Sequence, residues 1–251
     1  MSECVYETMP VAPATTPDPE KRVFVHRLFT TIAPQYDWFN RLASLGLDQR
    51  WRARAIRESG MQPGMDVLDV CTGTGDLALM CAARAHGQGL VAGVDFNATM
   101  LRGAPPKQAR ARQAVHWLQG DAQALPFQAG SFDRVFIGFS TRNLSDLRLG
   151  VAEMARVLRP GGRLVILETG RPANPLVRAG HWLFLMTVAR MIGWVLTGHL
   201  WPFTYLAKSV KRFLRPSEFV DLLAGCGLAP QHRPLSWGLA SLYLATKPVG
   251  P

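Results

Sequence analysis

Apolar positions along this chain change their rhythm near residue 65. From 21 to about 60 they recur at helical spacing, with Val23, Leu28, Phe29 and Ile32 on one stripe. Pro34 and Gly46 break that run, and Tyr36, Trp38 and Phe39 crowd its centre. Beyond 65, short apolar runs alternate with helical patterns. Strands are predicted over 65–70, 90–94, 115–118, 132–139 and 163–168. Helices are predicted over 77–85, from Asn97 or Thr99 to about 112, and from a Ser145 or Asp146 cap to 158. Pro160-Gly161-Gly162 reads as a turn. Strands and helices alternating through short connections predict a parallel sheet covered on both faces.

The rhythm stops at 172–215, which holds a long apolar run, 182–201, with Arg190 near its middle. A helix over 216–225 and strands over 228–235 and 239–246 follow, the strands joined as a hairpin by Ser236-Trp237-Gly238. The expected architecture is therefore α/β: a mostly parallel sheet with an antiparallel end strand, an N-terminal helical cap (21–60) and a helical apolar insertion (172–215). Residues 1–20, with a Pro/Thr cluster and no apolar run, read as a loose tail before one domain over 21–251.

Composition narrows the class. The chain has 251 residues, 48% apolar and only 18% charged, which excludes a disordered or coiled-coil protein. Four cysteines without C-x-x-C spacing argue against zinc or a disulfide framework and suit a reducing cytosol, so no metal is expected. The net charge is +10, and it is uneven. Residues 151–251 carry 12 basic and 4 acidic groups, against 5 and 6 in residues 1–50. Such a field favours anionic partners.

Three acids carry the candidate chemistry. Asp69 ends the first strand, ahead of a Gly73-Thr74-Gly75 turn where backbone can approach a ligand without a Cβ in the way. The turn is not the dinucleotide G-x-G-x-x-G, because Cys71 and Asp76 stand where that spacing wants glycines. Asp95 ends the second strand, where a carboxylate can accept from both ribose hydroxyls. Gly120-Asp121-Ala122 ends the third, where Asp121 can accept from an adenine amino group. Each acid alone is more often a helix cap than a ligand contact. Three at consecutive strand ends point to a nucleoside ligand.

These elements, with Leu158-x-Pro160-Gly161-Gly162, resemble the class I S-adenosylmethionine-dependent methyltransferases. Tyr36-Asp37-x-x-Asn40, Gly73-Thr74-Gly75-Asp76, Ala124-Leu125-Pro126-Phe127, Arg142-Asn143-x-x-Asp146 and Tyr205-Leu206-Ala207-x-Ser209 are similar, more narrowly, to the ubiquinone/menaquinone-biosynthesis C-methyltransferases, over about residues 25 to 247. The resemblance implies a Rossmann-like fold with S-adenosylmethionine as cofactor. Asp69, Gly73, Thr74 and Gly75 would bind the cofactor, the last three lining its methionine end. Asp95 would hold the ribose, Asp121 and Ala122 the adenine, and Gly138 would contact the cofactor from the fourth strand. Tyr36, Arg142 and Asn143 would face a prenylated quinol as the catalytic group. Departures fall mostly on the acceptor side: Phe139-Ser140-Thr141, Glu168-Thr169-Gly170-Arg171-Pro172, Lys208, and Tyr243 where the pattern has histidine.

In that reading Arg142, with paired N–H donors, stabilises a quinol oxyanion, Asn143 orients it, and Tyr36 or a water relays the proton. Arg142 as a structural ion pair with Asp146, and Tyr36 as core packing, are the plainer alternatives. The 182–201 run, interrupted by Arg190, Gly193, Gly198 and His199, suits a buried or interfacial helix better than a membrane span. With Arg178, Lys208, Lys211, Arg212 and Arg215 nearby it predicts a cytoplasmic protein peripheral to an anionic membrane face. A phospholipid N-methyltransferase on the same fold is the alternative activity. Nucleic acid is not expected as a partner: residues 138–141 lack an Asn/Asp-Pro-Pro-Tyr pattern, and basic and aromatic residues do not interleave.

Overall fold

A computed structural model describes residues 18–111 and 114–250. Most of the expected tail, residues 1–17, lies outside the described residues. Helix α1 (Pro19–Ile32) starts two residues ahead of the predicted cap, because Asp18 accepts from the Lys21 amide at 3.0 Å and Pro19 occupies the first turn. Its buried face is Phe24, Val25, Leu28 and Ile32; Val23, placed on the stripe by spacing, is 71% exposed. A 3₁₀ turn at Ala33–Gln35 and a left-handed Gly46 separate α1 from α2 (Tyr36–Ala43) and α3 (Leu47–Glu58).

The alternating region follows as β1 (Val67–Val70), α4 (Asp76–Ala85), β2 (Val91–Asp95), α5 (Ala98–Leu101), α6 (Ala104–Ala111), β3 (His116–Gln119), β4 (Phe132–Gly138), α7 (Leu147–Val157) and β5 (Leu158–Thr169). The single helix predicted from Asn97 to 112 is two, since Pro105 and Pro106 lack the N–H groups to continue a helix and fit only a new first turn. Asn97 caps α5 and Asp146 caps α7. The predicted turn at 160–162 lies within β5, as an irregularity where its register with β4 shifts between Phe132 and Arg134.

The apolar insertion is α8 (Pro175–Met186), α9 (Val188–Thr197) and α10 (Trp201–Arg212); α11 (Pro216–Ala224), β6 (Ala229–Leu235) and β7 (Ala240–Thr246) complete the chain. The sheet order is β3-β2-β1-β4-β5-β7-β6, with β1 to β5 parallel and β7 antiparallel between β5 and β6. The expected mixed sheet and closing hairpin are therefore present. Side chains alternate along each strand, so Leu68, Val70, Val135 and Ile137 face one core layer and Val67, Phe136 and Val165 the other.

A third core has no sheet in it. Phe24, Leu28 and Phe39 of the cap pack with Leu185, Ala189, Phe203 and Tyr205 of the insertion. Two segments more than 130 residues apart thus form one helical lobe. Gly193 permits the closest approach: a Cβ there would lie 2.2 Å from the Phe203 ring. The run 175–197 is long and apolar enough to cross a membrane. Its inner residues Leu185, Ala189 and Gly193 are nevertheless packed into this lobe, and α8 and α9 are separated by Thr187 (φ −117, ψ −78). Strand order reverses at β1, which opens a crevice beyond the carboxyl ends of β1, β2 and β4, under the lobe.

Candidate active site

The loop leaving β1 has three left-handed residues in five positions, Cys71 (φ 54), Gly73 (φ 59) and Gly75 (φ 84). Asp69, 1% exposed, holds it by accepting from the Thr72 hydroxyl at 2.6 Å and the Ala78 amide at 3.1 Å. Burial pushes the Asp69 carboxyl up to about 7. Asp95 completes the brace: one oxygen accepts from the Gly73 amide and the other from the Asn97 amide, both at 2.8 Å. Its carboxyl is also raised, chiefly by burial, with those two amides opposing.

The two glycines differ in role. A Cβ on Gly73 would stand 3.3 Å from Met100 and 4.0 Å from Tyr36, so Gly73 lets the cleft exist. A Cβ on Gly75 would strike Trp117 at 2.6 Å, so this glycine serves packing behind the loop and does not line the cleft. The Thr74 hydroxyl donates to Asp37 at 2.6 Å and accepts from Lys107, which also pairs with Asp37 and Asp76. That network fastens α2 to the loop.

A cleft of about 640 Å³ extends from Gly73 past Asp95, Phe96 and Met100 to Asp121, Ala122 and Gln123. Asp121 accepts from the Gln123 amide at 2.9 Å, and its other oxygen pairs with Arg22 of α1 at 3.0 Å. Helix α1 therefore forms the near wall of the cleft. Gly138 lies in an adjoining notch with Asp69, Thr74 and Tyr36.

A second cavity, about 990 Å³, occupies the helical lobe. Leu28, Ile32 and Phe39 line it from the cap, and Phe184, Leu185, Ala189, Phe203 and Leu206 from the insertion. Phe29, Tyr36 and Asn143 line both cavities, so they form the partition between them. Three buried polar atoms in the second cavity's lining lack a partner among the described residues: Arg142 Nε, Asn143 Oδ1 and Tyr205 Oη. Two are donors and one an acceptor, and leaving them unmatched would cost about 1–3 kcal/mol each. Burial pushes the phenol of Tyr205 up to about 12 and that of Tyr36 upward too, with Asn40, Arg52 and Arg142 opposing in the latter. Both phenols are hydrogen-bond donors at neutral pH.

Arg142 does not pair with Asp146. Asp146 turns back to cap α7 through the Leu149 amide at 2.9 Å, and the guanidinium meets Glu168 at the end of β5 and the Phe139 carbonyl. Glu168, 1% exposed, also accepts from the Thr141 hydroxyl at 2.6 Å and the Arg142 and Thr169 amides. Sequence reading missed Glu168 and gave Tyr205 no role. The only signal for either was its place in a family-like motif. The Tyr243 departure is remote: its ring stacks on His232 between β7 and β6, outside the lining of either cavity.

Solved structures share this fold. The [4+2]-cyclase SpnF covers 96% of this chain and 99% of its own at a TM-score of 0.67 and 16% identity. A SAM-dependent methyltransferase from Aquifex aeolicus covers 78% and 89% at 0.59 and 18%. Sequence relatives are nearer. A demethylmenaquinone methyltransferase of Desulfitobacterium hafniense is 36% identical over 232 residues, 91% of this chain and 92% of that one. Its namesake from Thermus thermophilus is 38% identical over 221 residues, 88% and 100%. A ubiquinone/menaquinone biosynthesis C-methyltransferase of Syntrophotalea carbinolica is 39% identical over 217 residues, 86% and 91%. The profile of the ubiE/COQ5 methyltransferase family matches residues 16–247, and with relatives this similar over nearly the whole length, the chain belongs to that family.

Proposed function

We propose that this protein transfers a methyl group from S-adenosylmethionine to a ring carbon of a prenylated quinol. One observation carries the reading: an apolar cavity with three unmatched polar atoms adjoins a nucleoside-sized cleft across a partition of Phe29, Tyr36 and Asn143. The relatives named as demethylmenaquinone and ubiquinone/menaquinone methyltransferases support it. The cleft residues fit the cofactor. Asp95 and Asp121 keep lone pairs for ribose hydroxyls and an adenine amine, Met100 and Ala122 supply apolar contact, and Gly73 leaves room for the methionine end.

S-adenosylmethionine supplies an electrophilic methyl on a sulfonium sulfur. The chain's work is alignment and charge stabilisation. Arg142 Nε donates to one quinol oxygen and Tyr205 to the other, while Asn143 Oδ1 accepts from a hydroxyl. As that hydroxyl ionises, its proton leaves along the partition to solvent, Arg142 stabilises the oxyanion, and the conjugated ring carbon becomes nucleophilic; once that carbon has taken the methyl, its own hydrogen returns as a proton to the oxygen and the ring is again aromatic, so one proton is released overall. Glu168 sets the guanidinium so that Nε faces the cavity. Tyr36, held protonated, relays a proton along the partition and is not a standing base.

The lobe's outer surface suits a bilayer. Leu176, Leu183, Met191, Trp194 and Val195 are exposed on α8 and α9, and Trp38, Leu42 and Leu45 on or just beyond α2. Arg178 and Lys211 are exposed beside them, whereas Arg215 is neutralised by Glu218 at 2.6 Å. We place the protein peripherally on an anionic membrane face, where its acceptor resides. Purified protein incubated with S-adenosylmethionine and a demethylated quinol should give product heavier by one methylene. Methylation of phosphatidylethanolamine with none of the quinol would select the lipid alternative.

A further inference from the structure

The acceptor cavity lies within the lobe, bounded by the cap and insertion helices, and an isoprenoid tail that stays in lipid must leave it. At the nucleoside end the cavity meets the partition. On the insertion side only the side chains of His181 and Leu185, both on α8, stand between it and an outer cleft of about 840 Å³, so a tail passes where these two turn aside.

That cleft is mostly apolar inside and cationic at its rim. Ala179, Trp182 and Val210 line it, and Arg171, Arg178 and Lys211 edge it. The Lys211 ammonium sits 4.7 Å above the Trp182 ring, so the cation stays desolvated on one side and faces outward on the other. The exposed apolar residues of α8 and α9 continue from this opening. We infer that the cleft between α8 and α10 is the portal through which the acceptor's isoprenoid tail passes into the bilayer, with Arg171, Arg178 and Lys211 pairing with phospholipid phosphates around it. This rests on the quinol reading. The tail then stays in lipid while the head reaches Arg142, so the substrate is never wholly extracted from the membrane.

The portal is tested with two acceptors. One is a demethylated naphthoquinol without a tail, in solution. The other is its long-tailed form in vesicles of phosphatidylcholine and phosphatidylglycerol. Ala179→Trp places an indole in the cleft from an exposed helix position outside the acceptor cavity. It should lower kcat/KM for the long-tailed acceptor by about tenfold or more and leave the tail-free one within about twofold. Arg178→Glu with Lys211→Glu should do the same in anionic vesicles. Variants that lose both activities equally, or neither, overturn the portal. Wild-type protein inactive on both acceptors overturns the quinol reading itself.

Discussion

Arg142 and Glu168 form a buried ion pair that engages one edge of the guanidinium and leaves its Nε–H without a partner among the described residues. The pair joins the end of β5, which carries Glu168, to the 3₁₀ turn Thr141–Asn143 just past the neighbouring parallel strand β4, and Arg142 alone of the two lines the acceptor cavity. Arg142→Lys keeps a cation but loses the forked geometry. It should lower single-turnover methyl transfer by about 10²–10³ while S-adenosylmethionine affinity changes little. Arg142→Ala strands a buried carboxylate and should also cost about 3–5 kcal/mol of stability. A near-normal chemical step in folded Arg142→Lys would remove this residue from catalysis.

Asp95 braces the loop and faces the cleft, so its two roles need separating. Asp95→Asn removes the charge and keeps one acceptor oxygen, but sets its NH2 against the Gly73 or Asn97 amide, so an unchanged melting temperature is needed beside the binding measurement to separate cofactor contact from loop bracing. Titration calorimetry should show S-adenosylmethionine affinity reduced by about tenfold or more, the worth of a charged hydrogen bond. Unchanged affinity would show that the ribose is held elsewhere.

Asp69 predicts a pH dependence. Its carboxyl is raised from 3.8 to about 7 in the fold, chiefly by burial. The folded state therefore binds a proton that the unfolded state releases near its ordinary value. Its contribution is present in full at low pH and is lost as pH rises from about 4 toward 7. Urea unfolding across that range should show this declining component in the wild type, and Asp69→Asn should flatten it.

Gly193 tests the cap–insertion lobe. A methyl group there meets the Phe203 ring at 2.2 Å. Gly193→Ala should destabilise by about 1–3 kcal/mol through overpacking, in spite of alanine's better helix propensity. A raised melting temperature would mean that α9 and α10 do not pack this closely.

Membrane contact should be electrostatic at first and apolar once made. Sedimentation with phosphatidylglycerol vesicles should be strong at low salt and weaken as salt screens the charges. Trp194→Glu, at an exposed position on α9, should reduce binding without altering the melting temperature. Equal recovery in the supernatant with and without vesicles would count against the membrane face.

The sequence by itself determined whatever depends on near neighbours. Apolar runs and turn residues specified the strand–helix order, and the three acids could be located at strand ends because an acid closing an apolar run is a local signal. Tyr36, Arg142 and Asn143 were legible only as motif positions. Tertiary structure decided which groups meet. Asp146 is the acid near Arg142 along the chain and Glu168 lies 26 residues on, yet strand pairing brings Glu168 alongside while Asp146 is committed to capping α7. Val23 and Phe24 are both apolar, and only the lobe packed against α1 selects Phe24 for burial. Gly73 and Gly75 are two residues apart, yet one clears the cleft and the other clears Trp117 on β3. The acceptor cavity itself arises because cap and insertion, distant in sequence, bury apolar faces that neither can cover alone.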